Sequence, residues 1–190
     1  QAYAFLRHPL VRWKKSLTQP ISLALALEEP SHEAVEPVED GKFKSPLPDL
    51  TANLRYSDKW GHIQLSGFAA SLRYNYDSNG NENHFLYGGN LSGQVDFLKK
   101  HKDYFQALYG SGLGRYRGGY SAGLDENGNI EPIIAEGFTL GVLYHWSEIF
   151  SSNLTYNYGS SEKTHGLPDN TVYRTSYFAV NFLWHFIENG

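Results

Sequence analysis

Leu50-Thr-Ala-Asn-Leu-Arg-Tyr56, Ser57-Asp-Lys-Trp-Gly61 and His62-Ile-Gln-Leu-Ser66 read as one unit. In the first run Leu50, Ala52, Leu54 and Tyr56 alternate with Thr51, Asn53 and Arg55, and in the third Ile63 and Leu65 alternate with His62, Gln64 and Ser66. A period of two is the signature of a strand with one dry and one wet face. The short polar stretch between the runs makes a tight reversal, so the two strands form an antiparallel hairpin.

Working outward, the second strand continues through Gly67-Phe-Ala-Ala-Ser71 to Leu72-Arg-Tyr-Asn-Tyr76, but its apolar parity changes from odd to even. A β-bulge near Ala69 and Ala70 is the expected device for keeping one face continuous. Asp77 to Asn83 is a polar turn, and Asn90-Leu-Ser-Gly-Gln-Val-Asp-Phe97 alternates again. Past the Lys99 to Asp103 turn, Phe105 to Tyr109 leads into Gly110-Ser-Gly-Leu-Gly-Arg-Tyr116, read as a strand end with three glycines on its inner side, and a polar loop runs to about Pro132. Phe138 to Tyr144, Leu154 to Tyr158 and Tyr173 to Phe186 follow as strands. Upstream, Ile21 to Leu27 alternates large and small residues, Val11 to Trp13 fits a strand, and Glu28 to Pro48 is an acidic loop with four prolines. The total is about nine strands. Their connections alternate short and long, the rhythm of a membrane barrel with short periplasmic turns and long external loops.

Composition narrows the classes. The apolar runs, Ile21 to Leu27 among the longest, fall far short of the ~20 residues of a helical span, which excludes a helical membrane protein. A mean hydropathy of -0.47 does not exclude a barrel, because strands that alternate lipid-facing and lumen-facing residues average to a polar sequence. The 14 Tyr and 11 Phe favour strands and membrane interfaces. Without cysteine there is no disulfide or thiolate chemistry. Without methionine or a signal peptide at Gln1, the chain reads as a processed or truncated piece. The net charge of -4 carries no basic stripe, so no nucleic-acid partner is expected.

Assigning the apolar parity outward places Leu23, Leu25, Leu54, Ile63, Leu65, Leu91, Val95, Leu140, Val142, Val180 and Phe182 against lipid. Tyr56 with Trp60, Tyr74 with Tyr76, Tyr144 with Trp146, and Tyr156 with Tyr158 would form interfacial girdles. The wet face is the candidate pore lining: Arg12, Arg55, Arg73, Arg115 and Arg174 with Asn53, Gln64, Asn90, Gln94 and Asp96. Arginines outnumber acids there, which favours anions, and guanidinium forks suit carboxylates. For any single arginine, bracing the barrel through ion pairs is an equal alternative.

Other chemistry finds little support. A phosphate loop at Gly110 to Tyr116 requires a helix directly after the glycines, and Arg115 to Gly123 is a poor helix start. His62, His84, His101, His145 and His165 lack ligand spacing, so no metal is expected, nor any cofactor. The acids between Glu28 and Asp40 read as a solvated charge run. Ser147 near His145, and Asp125 with Glu126, would be the catalytic candidates, but neither has a third partner.

Pro48-Asp-Leu-Thr-Ala-Asn-Leu-Arg-Tyr56, Trp60-Gly-His-Ile-Gln-Leu-Ser-Gly67, Asn90-Leu-Ser-Gly93, the glycine run, Leu124-Asp-Glu-Asn-Gly-Asn129, His145-Trp146 and Leu23-Ala-Leu-Ala-Leu-Glu-Glu-Pro30 together resemble the DcaP-like outer-membrane porins. The resemblance runs from about residue 6 to residue 185. It implies an all-β, antiparallel up-and-down transmembrane β-barrel of sixteen strands, usually a homotrimer, that passes small anions such as dicarboxylates by diffusion across a bacterial outer membrane. Residues 1–190 would then be a single barrel portion, about half, with N- and C-terminal parts of the full barrel absent. Outer-membrane lipid and lipopolysaccharide are the expected surroundings. The competing readings are a barrel enzyme acting on lipid and a soluble β-sandwich binding module.

Overall fold

The computed structural model describes residues 9–35, 41–76, 81–97 and 101–184. Strands β1 (Leu10–Ser16), β2 (Ile21–Glu28), β3 (Gly41–Lys44), β4 (Asp49–Asp58), β5 (Gly61–Tyr76), β6 (Asn81–Phe97) and β7 (His101–Ser111) are followed by a single helical turn, α1 (Gly114–Arg117). A small hairpin, β8 (Ala122–Leu124) and β9 (Ile130–Pro132), precedes β10 (Ile134–His145), β11 (Phe150–Ser161) and β12 (Arg174–Trp184).

One antiparallel sheet runs β1-β2-β4-β5-β6-β7-β10-β11-β12 in chain order, in the manner of an up-and-down barrel wall, with β3 and the β8-β9 hairpin off this path. The short β3 pairs with the far end of β5, beyond the last residue that β4 pairs. Among the described residues β1 and β12 each have one neighbour, so the sheet is open at both edges. Among the described residues no helix is long and apolar enough to cross a membrane.

Register assigns every side chain to a face, because residues directly opposite in an antiparallel pair share one. The row Ser16, Ser22, Arg55, Gln64, Ser92, Gln106, Thr139, Asn157, Tyr177 crosses all nine strands on the polar face. On the opposite face Leu23, Leu54, Leu65, Leu91 and Ala107 form a row, with Leu54, Leu65 and Leu91 exposed. A face with so much exposed aliphatic surface is built for lipid or a partner. Tyr56 stacks on Trp60 and Tyr144 packs on Trp146, as the expected girdle pairs, while Tyr156 and Tyr158 each pack on Phe138. The pair Phe85 and Tyr87 adds to them.

The expected bulge is absent. β5 pairs with β6 without interruption from Gly61↔Val95 to Asn75↔Asn81. Its even residues therefore face inward throughout, and beyond Ser66 that inner face turns apolar: Phe68, Ala70, Leu72 and Tyr74. A second layer covers them. Ala70, Leu72, Tyr74 and Leu86 form one buried cluster with Ala122 and Ile130 of the β8-β9 hairpin, against which Ala34, Phe43 and Leu124 pack. The parity change thus marks a change in what faces the strand, and Tyr74 belongs to this interior cluster instead of a girdle.

The connection from β5 to β6 is short in residues, but the strands themselves are 16 and 17 residues long. At a rise of about 3.3 Å per residue they extend well past the ~25 Å apolar band of an outer-membrane barrel. Their far ends form the wall on which the long connections fold.

Candidate channel wall

The cleft on the polar face is lined by residues of β1, β2, β4, β5, β6 and β7 together with Leu113, Tyr116 and Arg117, so this face is concave. Its volume is about 460 Å³. Arg12, Glu28, Asn53, Asn90 and Gln106 supply the polar walls, and Tyr116 and Arg117 reach in from the connection after β7. Asn53 donates to Ser66 Oγ at 3.0 Å. Among the described residues the buried Asn90 Oδ1 has no protein partner.

The glycine run makes the inward fold possible. β7 ends at Ser111, Gly112 takes a positive φ of 81°, and the chain turns back across the inner face. A Cβ at Gly110 would lie 2.4 Å from Tyr87 O, and one at Gly88, its cross-strand neighbour, would lie 2.5 Å from the Phe68 ring and 2.7 Å from Leu113. The bare strip formed by these two glycines admits Leu113, which is buried, and Tyr116, which packs on Phe68 at 4.6 Å. Only Gly110 of the three expected glycines lies on the strand, since Gly114 starts α1. A helical turn does follow the glycines, contrary to the sequence expectation, but it lasts four residues and ends at the left-handed Gly118.

A polar node pins this connection to the one between β2 and β4. Arg115 donates to Asp49 Oδ2 at 2.5 Å and to Glu28 Oε2 at 3.3 Å. The fully buried His32 side chain bridges Asp49 Oδ2 at 2.9 Å and Ser121 Oγ at 3.2 Å, and Thr51 donates to Glu28 Oε1 at 2.9 Å. Further pairing of Ala34 with Ala122 and of Leu124 with His165 ties in the connection before β12. Three long connections are therefore packed into one plug against the inner wall.

Burial beside the node pushes the Tyr116 hydroxyl up to about 12, only partly opposed by Arg115, and burial lowers Arg117. Arg117 donates to the Ser160 carbonyl at 3.0 Å. Asp125 lies below the usual carboxylate range, chiefly because the Asn129 side chain and backbone donate to it, with Asn127 adding to the effect. That carboxylate closes the β8-β9 turn.

Placement of the sequence-selected residues is mixed. Arg12 and Arg55 are on the inner face, as are Asn53, Gln64, Asn90, Gln94 and Asp96. Arg115 is on the inside too, but engaged with two carboxylates. Arg73 lies on the outer face, because the uninterrupted register of β5 keeps it in parity with Ile63 and Leu65. Arg174 is also outward, opposite Ser160 and in parity with Val180 and Phe182. Sequence reasoning missed Lys14, opposite Ala24, and Lys102, opposite Asp96, both inward. Carrying the parity of Arg12 and of Gln106 through to the strand ends finds both. Asp49 shares the inward parity of Thr51 and Arg55, but its burial, like the positions of Arg117 and His32, carried no such signal.

The remaining candidates resolve differently. Ser147 and His145 line a cleft at the short-turn end with Lys59, Asp96, Lys102 and Glu148, and the Ser147 amide is held in the turn by the Phe150 carbonyl. His101 stacks on Tyr144 at 3.8 Å, and His84 pairs with Glu82 at 3.1 Å. Among the described residues no three ligand-type side chains converge on a metal position. The acids at positions 36, 39 and 40, the tyrosine pair's Tyr76 side chain and the chain end after 184 lie outside the described residues.

No protein-family model matches the chain, and no curated protein matches it in sequence. In structure it is similar to the outer membrane channel DcaP of Acinetobacter baumannii, with a TM-score of 0.78 at 16% identity, over 95% of this chain and 53% of that one. The chain spans about half the length of the channel it matches, and it has the all-β, antiparallel fold of that half of a DcaP-like porin barrel.

Proposed function

We propose that this chain forms part of the wall of a bacterial outer-membrane porin through which small anionic solutes, dicarboxylates among them, diffuse passively. One observation carries the reading: the inner face of a lipid-suited sheet carries a polar row across all nine strands, and a cleft lies on that face beside an inward-folded plug. Open edges in hydrocarbon would leave backbone groups unpaired. The proposal therefore includes further strands that close the barrel and, by likeness to the porins alone, assembly as a homotrimer.

Anion preference follows from the charge left after internal pairing. Arg115 is matched by Glu28 and Asp49. Arg12, Lys14, Arg55, Lys102 and Arg117 then face the interior against Asp96 and Glu82. A positive potential in a narrow aqueous path concentrates anions. No bond is made or broken, so the reading needs no cofactor.

Planar bilayers containing the full-length protein test this reading. Discrete conductance steps with reversal potentials displaced toward the anion are expected. Replacing Arg12, Lys14 and Arg55 together by Gln is expected to reduce that displacement, while Arg73→Gln with Arg174→Gln leaves it unchanged. Lipid hydrolysis without conductance would replace the channel with a barrel enzyme. Stable solubility without detergent would point to a binding module.

A further inference from the structure

Where β3 joins the far end of β5, Lys44 sits directly opposite Arg73, and Arg73 sits directly opposite Asn83 of β6. Lys42, two residues along, is opposite Asn75 on the same face. That face is outward, because the intervening Phe43 packs inward on Tyr74 at 4.9 Å. Both lysines are exposed. The aromatic pair Phe85 and Tyr87 lies immediately below this row on β6, so the row begins where the apolar band ends.

Like charges directly opposite on a sheet destabilise it, by an amount comparable to the pairwise gains elsewhere. The sheet answers this problem differently in its other outward arginine. Arg174 shares a lateral row with Glu136 across Ser160, which itself donates to Glu136 at 3.1 Å. Among the described residues the Lys44-Arg73 pair has no carboxylate partner. Arg73 is nevertheless oriented: its Nε donates to Asn83 Oδ1 at 2.7 Å, which steadies the guanidinium and leaves its terminal N–H groups for another acceptor.

We infer that Lys44 and Arg73, with Lys42 beside them, form a site for a phosphate group of the outer-leaflet glycolipid, lipid A. A phosphate dianion between the two cations removes their repulsion and takes charge-assisted, paired hydrogen bonds from the guanidinium. The acyl chains of the same molecule run down over Phe85 and Tyr87 toward Leu65 and Leu91. The site rests on the outer-membrane placement proposed above.

The test uses full-length protein in detergent, with bis-phosphorylated lipid A as the probe and native mass spectrometry to read bound lipid. Lys44→Gln with Arg73→Gln is expected to weaken binding roughly tenfold or more, as is use of dephosphorylated lipid A on the unmodified protein. Arg174→Gln leaves binding unchanged. Heat-modifiable gel mobility verifies that each variant is folded. Equal binding by the unmodified protein and the folded double variant overturns the site. Displacement of lipid A by millimolar inorganic phosphate overturns the lipid in favour of a free anion. Conductance measured on the same samples separates the two proposals: a conducting double variant with unchanged lipid A binding removes only the lipid site. A non-conducting protein whose lipid A binding still needs Lys44 and Arg73 removes only the channel.

Discussion

The two halves of β5 share one strand, one register and one hairpin partner, yet face different media. From Gly61 to Ser66 the inward residues are the polar, half-buried His62, Gln64 and Ser66, while Ile63 and Leu65 point outward and are exposed. From Phe68 to Tyr74 the inward residues are apolar and mostly buried, under the plug, and the outward ones are Ala69, Ser71 and Arg73. The comparison teaches that in this sheet hydrophobicity does not label the lipid side. It labels whichever side is dry, and in the far half the protein itself supplies the dry layer.

The most severe way to break that difference is to fill the bare strip under the plug. In Gly110→Val the new side chain meets backbone atoms of Tyr87 and Gly88 that cannot move aside. Loss of folded, heat-modifiable protein after refolding into vesicles is expected. Gly89→Ala, outward and with its nearest atom at 3.9 Å, refolds normally.

Second comes the node. Arg115→Gln leaves the fully buried Asp49 facing only His32, and breaking a buried pair costs roughly 3–5 kcal/mol. Urea unfolding in vesicles checks the stability, and limited proteolysis of residues 112–133 is expected to accelerate. Arg55→Gln, in the wet half, changes neither.

A methylene comparison measures the dry layer directly. Leu86→Ala, with the side chain fully buried under the plug, is expected to lose roughly 2–5 kcal/mol. Leu91→Ala, on the same strand but outward and 43% exposed, loses clearly less. Equal losses would dissolve the distinction between the halves.

The smallest effect concerns the turn that closes the plug hairpin. Asp125 is held below its usual range by donors from Asn129 and Asn127. Its folded value is depressed, so its contribution is present above about pH 4, the unfolded carboxylate range, and fades as the pH falls through the lowered value. NMR titration of the Asn127 and Asn129 amides is expected to show that transition, and Asp125→Ala to remove it without altering conductance at neutral pH.

Particular residues show how far the sequence carried this reading. Leu54, Ile63, Leu65 and Leu91 announced one face, and Asn53, Gln64, Asn90 and Gln94 the other, because neighbouring positions on a strand must point apart. Applied without exception, the same rule places Arg174 outward with Val180 and Phe182, and Arg73 outward with Ile63 and Leu65. The inserted bulge, and the assumption that apolar means lipid, hid both. The glycines were recognisable as a place of close approach, but what approaches was not, since Leu113 and Tyr116 return only after a turn at Gly112. Asp49 and Arg115 are 66 residues apart, and no local pattern couples them.

By itself, then, the sequence determined an antiparallel chain of strands with one wet face, set by a period-two pattern that depends only on near neighbours. Tertiary structure alone decided which apolar residues face outward and which meet the plug, and which arginines stay free. Those outcomes depend on distant segments converging on one surface, where burial and charge pairing are settled by what else arrives.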